Sequence, residues 1–126
     1  MRKLGSIFAL VLLTFFLAAY AFAEPDPADI PKLEAAIKLE QLPGWSPRLP
    51  ALSGYVRYYA SSTRGGEKVI LGELVIPSIN RGQPGFHLVS SKRSFPLIYD
   101  GGCAVVNLVY SIQQQKVLSI QCNGVA

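Results

Sequence analysis

The sequence predicts a small α+β protein in which one N-terminal helix packs on an antiparallel β-meander of four to six strands. Apolar residues recur at helical spacing over about residues 30–41, and from residue 52 they alternate with a period of two or form short β-branched runs. The connections between these later segments are short, and short turns join strands that pair antiparallel. Because both faces of the last hairpin are fairly apolar, a small β-barrel-like sheet is the alternative.

The first 23 residues have the composition of a cleavable signal peptide. Two basic residues precede a long apolar run that ends at Ala19, and residues 21–23 have the A-x-A form of a cleavage site. We expect cleavage between Ala23 and Glu24. A retained membrane anchor is the alternative, since about 20 apolar residues cross a bilayer. The cleavage motif and the abrupt change to a polar, proline-rich sequence favour export.

Residues 24–126 then form a single small domain with one modest core. Loss of Arg2 and Lys3 with the signal peptide leaves ten basic against eight acidic residues, and these charges are scattered along the chain. Nucleic-acid binders cluster their positive charge on one face, so we do not expect a chain with scattered charges to bind DNA or RNA. We expect the protein in the periplasm or secreted, meeting the membrane only transiently through its signal peptide.

The chain has two cysteines, Cys103 and Cys122. An even number of cysteines in an exported chain predicts a disulfide. Residues 103–110 and 116–122 are β-rich and predict a final hairpin, in which a two-residue loop sets the cysteines opposite each other. A longer loop makes them diagonal neighbours. A bridge over this length of chain contributes about 3 kcal/mol to stability in the chain-entropy model.

The predicted helix covers about residues 30–41, with Asp29 as its N-cap and Pro31 in its first turn. Pro43 and Gly44 end it. Residues 42–50 form a proline-rich connector, and we expect its Trp45 to clamp the connector onto the core.

Strands are predicted at residues 51–61, 68–77, 86–90, 103–110 and 116–122, with a short extended segment at 95–99. In the first strand, Tyr55, Arg57 and Tyr59 lie on one face. Tyrosine and arginine are enriched where proteins bind partners, so these three are the candidate partner-binding residues. The alternative is that the helix covers them.

No pattern of catalytic or metal-binding residues stands out. His87, the one histidine, lies on a predicted strand, and a Cys103–His87–Asp100 site would need a free thiol. Glu73 alternates with Leu74 and is expected to face solvent. One histidine and two bridged cysteines leave no set of metal ligands, and the Gly-Gly pairs lack the context of a phosphate-binding loop. We therefore expect no cofactor and no enzymatic activity.

These observations predict a non-catalytic binding module of the cell envelope or the secreted space, with an unknown exported protein as its partner. An inhibitor or immunity-type protein is one concrete form. The first alternative is a cell-wall or glycan-binding module, in which the same tyrosines stack on sugar rings. The second is a small envelope enzyme that uses Asp100 or Glu73.

Overall fold

A computed structural model describes residues 23–124. Nearly all of the predicted signal peptide, residues 1–22, lies outside this range, so the prediction of cleavage is not tested by it. The described chain is a small α+β domain with one mixed sheet of five strands. Within residues 23–124, no helix is both long and apolar enough to span a bilayer.

The five strands are β1 (Val56–Arg64), β2 (Glu67–Val75), β3 (Gly85–Val89), β4 (Val105–Ser111) and β5 (Lys116–Cys122). Their order in the sheet is β3-β1-β2-β4-β5. All neighbours are antiparallel except β1 and β3, which are parallel. The predicted meander is therefore wrong at its third strand, because β3 pairs with β1 and not with β2. The strands β3 and β5 form open edges, so the sheet is not a closed barrel.

The crossover from β2 to β3 passes over the start of β1. It begins with a single helical turn, Pro77–Asn80, after which Arg81 takes a left-handed conformation with φ 50°. Gly82 then lies so close to β1 that a Cβ atom there would sit 3.1 Å from a methyl group of Val56. A glycine at this position lets the chain pass the start of β1 and reach the edge of β1 on which β3 pairs.

The predicted helix of residues 30–41 is not matched. Helical structure begins with the 3-10 turn Pro27–Asp29 and continues as α1 (Ile30–Ala35), and Leu39–Gln41 forms a separate turn. Asp26, not Asp29, supplies the side-chain cap, because its Oδ1 accepts from the backbone N–H of Ala28 at 2.9 Å. The break near Lys38, which has φ −120° and ψ 79°, turns the chain so that Leu39 is buried.

One face of the sheet packs against α1 and forms the core. The buried members of this cluster are Ile30, Leu33, Ile37, Leu39, Tyr55, Tyr59, Ile70, Leu74, Val106, Leu108 and Tyr110. The connector of residues 42–50 lies beside it, and Trp45 is partly buried against the cluster. The expected clamping role of Trp45 is confirmed.

Cys103 and Cys122 form the predicted disulfide, with their Cα atoms 4.5 Å apart. The hairpin register differs from the prediction, because a four-residue loop and an irregularity between Val109 and Tyr110 place Cys122 opposite Val106. Cys103 precedes β4, in the 3-10 turn Gly102–Ala104. The bridge therefore ties this turn to the end of β5.

Candidate functional site

The predicted partner-binding residues Tyr55, Arg57 and Tyr59 are buried beneath α1. Both tyrosines are fully buried and Arg57 is 8% exposed. The predicted separation of the two faces of β1 is right, but this face points toward the helix. These three side chains are therefore covered and do not form an exposed binding surface, which corrects the expectation from the sequence.

Polar contacts of this covered face fasten α1 to β1. Arg57 Nε donates to Glu34 Oε2 at 2.5 Å, and the Tyr59 hydroxyl donates to the same oxygen at 2.7 Å. Arg57 Nη1 also donates to the carbonyl oxygens of Leu52 and Tyr55, both at 3.1 Å. Burial, reinforced by the negative charge of Glu34, strongly raises the pKa of Tyr59. Tyr59 therefore stays protonated, and its hydroxyl donates a hydrogen bond to Glu34.

The opposite face of the sheet carries a row of polar side chains. The row contains one residue from each strand, in register: His87, Tyr58, Glu73, Asn107 and Gln121. The exposed His87 stacks on Tyr58, with ring centroids 5.4 Å apart. Asn80 Nδ2 donates to the Tyr58 hydroxyl at 2.5 Å. The sheet thus has an apolar face under α1 and a second face with a polar stripe.

Glu73 is buried in the middle of this row, contrary to the expectation that it faces solvent. It is 7% exposed, and its Oε1 has no hydrogen-bond partner among the described residues. The segment after β3 folds back over this face, where Phe95 contacts the ring of Tyr58 at 6.3 Å between centroids. Burial raises the pKa of Glu73 to about 7, and the positive charge of Lys92 partly opposes the rise.

A cavity of about 260 Å³ opens on the same face, over strands β2, β4 and β5. Leu71 and Val109 contribute apolar surface to it. Asn107, Ser119 and Gln121 contribute polar groups, and the rest of the lining comes from Arg64, Gly72, Lys92, Phe95 and Leu108. Its size is close to the lower end of the range for small-molecule pockets, about 300 Å³.

Residues 95–101, which we call the pinned loop, are held at their centre by one asparagine. Asn123 Nδ2 donates to the carbonyl oxygen of Ile98 at 2.9 Å and to that of Asp100 at 3.1 Å. These two carbonyls flank Tyr99, which is 84% exposed, and Leu97 is 80% exposed. The loop therefore presents two large apolar side chains to solvent while its backbone stays attached to the domain.

Asn123 is itself fixed by its neighbours. Asn107 Nδ2 donates to Asn123 Oδ1 at 2.6 Å, and the backbone N–H of Asn123 donates to the Val105 carbonyl at 2.9 Å. The preceding residue, Cys122, is held in the disulfide. The disulfide, β4 and β5 together place the side chain that holds the pinned loop.

Sequence reasoning missed the pinned loop. Residues 95–99 were predicted as a short extended segment, but they pair with no strand in the described chain. The signal was present as an apolar stretch between the basic pair Lys92-Arg93 and Gly101-Gly102, together with an asparagine directly after Cys122. The contact joins residues 23 and 25 positions apart, which local pattern cannot reveal.

The other residues singled out from the sequence do not come together as a catalytic group. Cys103 is bridged, so the imagined Cys103–His87–Asp100 site has no free thiol. Asp100 is exposed and takes part in the pinned loop through its carbonyl. Across the described range, no three His, Cys, Asp or Glu side chains gather where a metal ion could be held. Comparison with protein-family models, curated proteins and solved structures found no match for this chain.

Proposed function

We propose that the protein is a non-catalytic binding module that inserts the pinned loop into a cleft of an exported protein partner. One observation carries this proposal: Leu97 and Tyr99 are both at least four-fifths exposed, on a loop whose backbone is held on both sides of Tyr99. Binding residues are commonly placed on loops that a rigid scaffold positions.

The energetics of association favour such an arrangement. Burying a large apolar side chain contributes about 1.5–3 kcal/mol, and tyrosine is among the residues that dominate interface energies. Ordering a mobile loop on binding opposes this gain. Because Asn123 already holds the pinned loop, less of the free energy gained by burying Leu97 and Tyr99 is lost to ordering the loop on binding.

The shape of the pinned loop suits a concave partner. A single protruding loop buries its side chains best in a cleft, such as the substrate cleft of an exported enzyme. An inhibitor or immunity-type protein that guards against an envelope-attacking enzyme is the concrete form we favour. The proposed location is the periplasm or the secreted space, after cleavage between Ala23 and Glu24. The Cys103–Cys122 bridge supports this location, because disulfides persist in oxidising compartments.

Site-specific photo-crosslinking tests the proposal. A photoreactive phenylalanine analogue is placed in turn at position 97, 99 or 118, in the cells that make the protein. Leu118 is the matched control, because it is a 40% exposed apolar residue on the edge strand β5. We expect one discrete heavier species from positions 97 and 99 but not from 118, and the purified partner should then bind the parent protein. Cross-links that are absent at 97 and 99, or that match those at 118, would reject the proposal.

A glycan-binding role is the second candidate, and Tyr99 is the observation that favours it. Tyr55 and Tyr59 are covered and offer no face to a sugar ring, whereas the Tyr99 ring is exposed. Co-sedimentation with purified cell wall separates the two candidates. Pelleting that is lost in Tyr99→Ala would favour the glycan, and protein that stays in the supernatant would favour a protein partner.

A further inference from the structure

The cavity on the polar face of the sheet has the composition of a binding site for a small anion with an apolar body. Leu71, Val109 and Phe95 give it apolar walls, and the three strands beneath it give it polar groups. Polar groups make up the larger part of its accessible lining, so the cavity suits a charged ligand better than a purely apolar one. Phe95 belongs to the pinned loop, but the proposed partner-binding residues Leu97 and Tyr99 do not line the cavity, so the two sites use different side chains.

Two cations line this cavity, Arg64 and Lys92. Within residues 23–124, the one ion pair joins Arg57 to Glu34, so neither lining cation is neutralised by a salt bridge there. An arginine guanidinium presents paired N–H groups that match the two oxygens of a carboxylate. The cations therefore favour an anionic group on the ligand.

Glu73 narrows the class of anion. It stands between Tyr58 and Asn107 in register, next to the cavity residue Asn107, and its carboxyl group is buried. When this group is ionised, it offsets one of the two lining cations, and the single positive charge that remains is balanced by a monoanion. A doubly charged phosphate would leave an unbalanced negative charge beside the buried Glu73, so it is disfavoured relative to a carboxylate.

The volume of the cavity limits the size of the anionic ligand. A volume of about 260 Å³ has room for a molecule with one ring or a short chain besides its charged group. Phe95 and Leu71 are available to contact such a body.

We propose that this cavity binds a small organic monocarboxylate, with its carboxylate at Arg64 and Lys92 and its apolar body against Phe95, Leu71 and Val109. The site goes beyond the proposed partner binding and does not depend on it. Ligand binding requires no chemical change in either molecule.

NMR titration of the protein, produced from the full chain by export and with its disulfide formed, tests this site. The probes are phenylacetate, benzoate and hexanoate, with phenylacetamide as the neutral counterpart and inorganic phosphate as the dianion. We expect saturable shifts of the Leu71, Asn107 and Ser119 amide signals with at least one carboxylate. Phenylacetamide and phosphate should bind about tenfold more weakly or not at all.

Two double variants show whether the positive charges that line the cavity are responsible for binding. Arg64→Met/Lys92→Met should weaken carboxylate binding at least about tenfold. The control Arg48→Met/Lys38→Met removes the same two charges at exposed positions outside the cavity, and should leave binding unchanged. The proposal is overturned if no carboxylate gives saturable shifts at millimolar concentration, if phenylacetamide binds as well as phenylacetate, or if both double variants behave alike.

Discussion

Arg57 donates its Nε hydrogen to Glu34 Oε2 across 2.5 Å, and this contact joins the first strand to the N-terminal helix. Tyr59 donates to the same oxygen, so one carboxylate of α1 receives two donors from β1. The helix has only six residues, and helices this short are marginal without tertiary contacts. This network, together with the apolar stripe, is what holds α1 in place.

Removing the arginine should therefore destabilise the fold. Arg57→Ala leaves Glu34 partly buried without its cation, and breaking a buried ion pair costs about 3 kcal/mol or more. Urea unfolding of both proteins measures the loss. The control Arg48→Ala, at an exposed position, should change the free energy of unfolding by less than about 0.5 kcal/mol. A similarly small effect of Arg57→Ala would show that the network does not hold the helix.

Glu73 should make stability fall as the pH rises. Its folded pKa of about 7 lies above the ordinary value of 4.5, so the folded state binds more protons than the unfolded state between these values. The contribution of Glu73 to the free energy of unfolding is therefore fully present below pH 4.5, and it is lost as the pH rises through 7. Lys92, which favours the ionised form, limits this loss, and Tyr58 and His87 are the other titratable groups of the row.

Glu73→Gln should remove this pH dependence. Urea unfolding at pH 5 and pH 8 gives the loss for each protein, and the parent should lose more than the variant by up to about 3 kcal/mol. The exposed Glu40→Gln is the matched control and should behave like the parent. Equal losses in the parent and Glu73→Gln would mean that Glu73 is not held in a desolvating environment.

Asn123→Ala should release the pinned loop while leaving the fold intact. The substitution removes the two hydrogen bonds to Ile98 and Asp100, each worth about 1 kcal/mol. We expect backbone NMR order parameters of residues 97–100 to fall from about 0.85 to below about 0.6. Asn80→Ala, which removes a side-chain contact to Tyr58 instead, should leave these values unchanged. A loop that stays rigid in Asn123→Ala would refute the role of Asn123.

Breaking the disulfide should act on both stability and the pinned loop. Cys103→Ser/Cys122→Ser is expected to lower the free energy of unfolding by about 3 kcal/mol, since the bridge constrains the unfolded chain. Because Cys122 precedes Asn123, the order parameters of residues 97–100 should also fall. Loss of stability with an unchanged loop would separate the bridge from loop positioning.

Local patterns predicted the features that depend on local periodicity. The alternation in β1 correctly placed Tyr55, Arg57 and Tyr59 on one face, and the helical spacing of apolar residues over 30–41 includes the buried Ile30, Leu33 and Ile37. The even number of cysteines and the expected export predicted the Cys103–Cys122 pair. A period of two identifies the two faces of a strand, but it does not say which of them a helix will cover.

The features that sequence reasoning missed depend on long-range placement. The position of β3 beside β1 depends on a crossover at Gly82, and a short connection alone predicted pairing with β2. The burial of Glu73 depends on the segment of Phe95 folding back over the sheet. The pinned loop likewise depends on Asn123, which is distant in sequence.

The most direct test of the proposed function is the affinity for the cross-linked partner, measured by calorimetry with purified proteins. Leu97→Ser/Tyr99→Ser should weaken binding by about a hundredfold or more, because burial of two large side chains is lost. Phe86→Ser/Leu118→Ser, which alters two other exposed apolar residues, should change the affinity by less than about threefold. An affinity of Leu97→Ser/Tyr99→Ser within about threefold of the parent would contradict partner binding through the pinned loop.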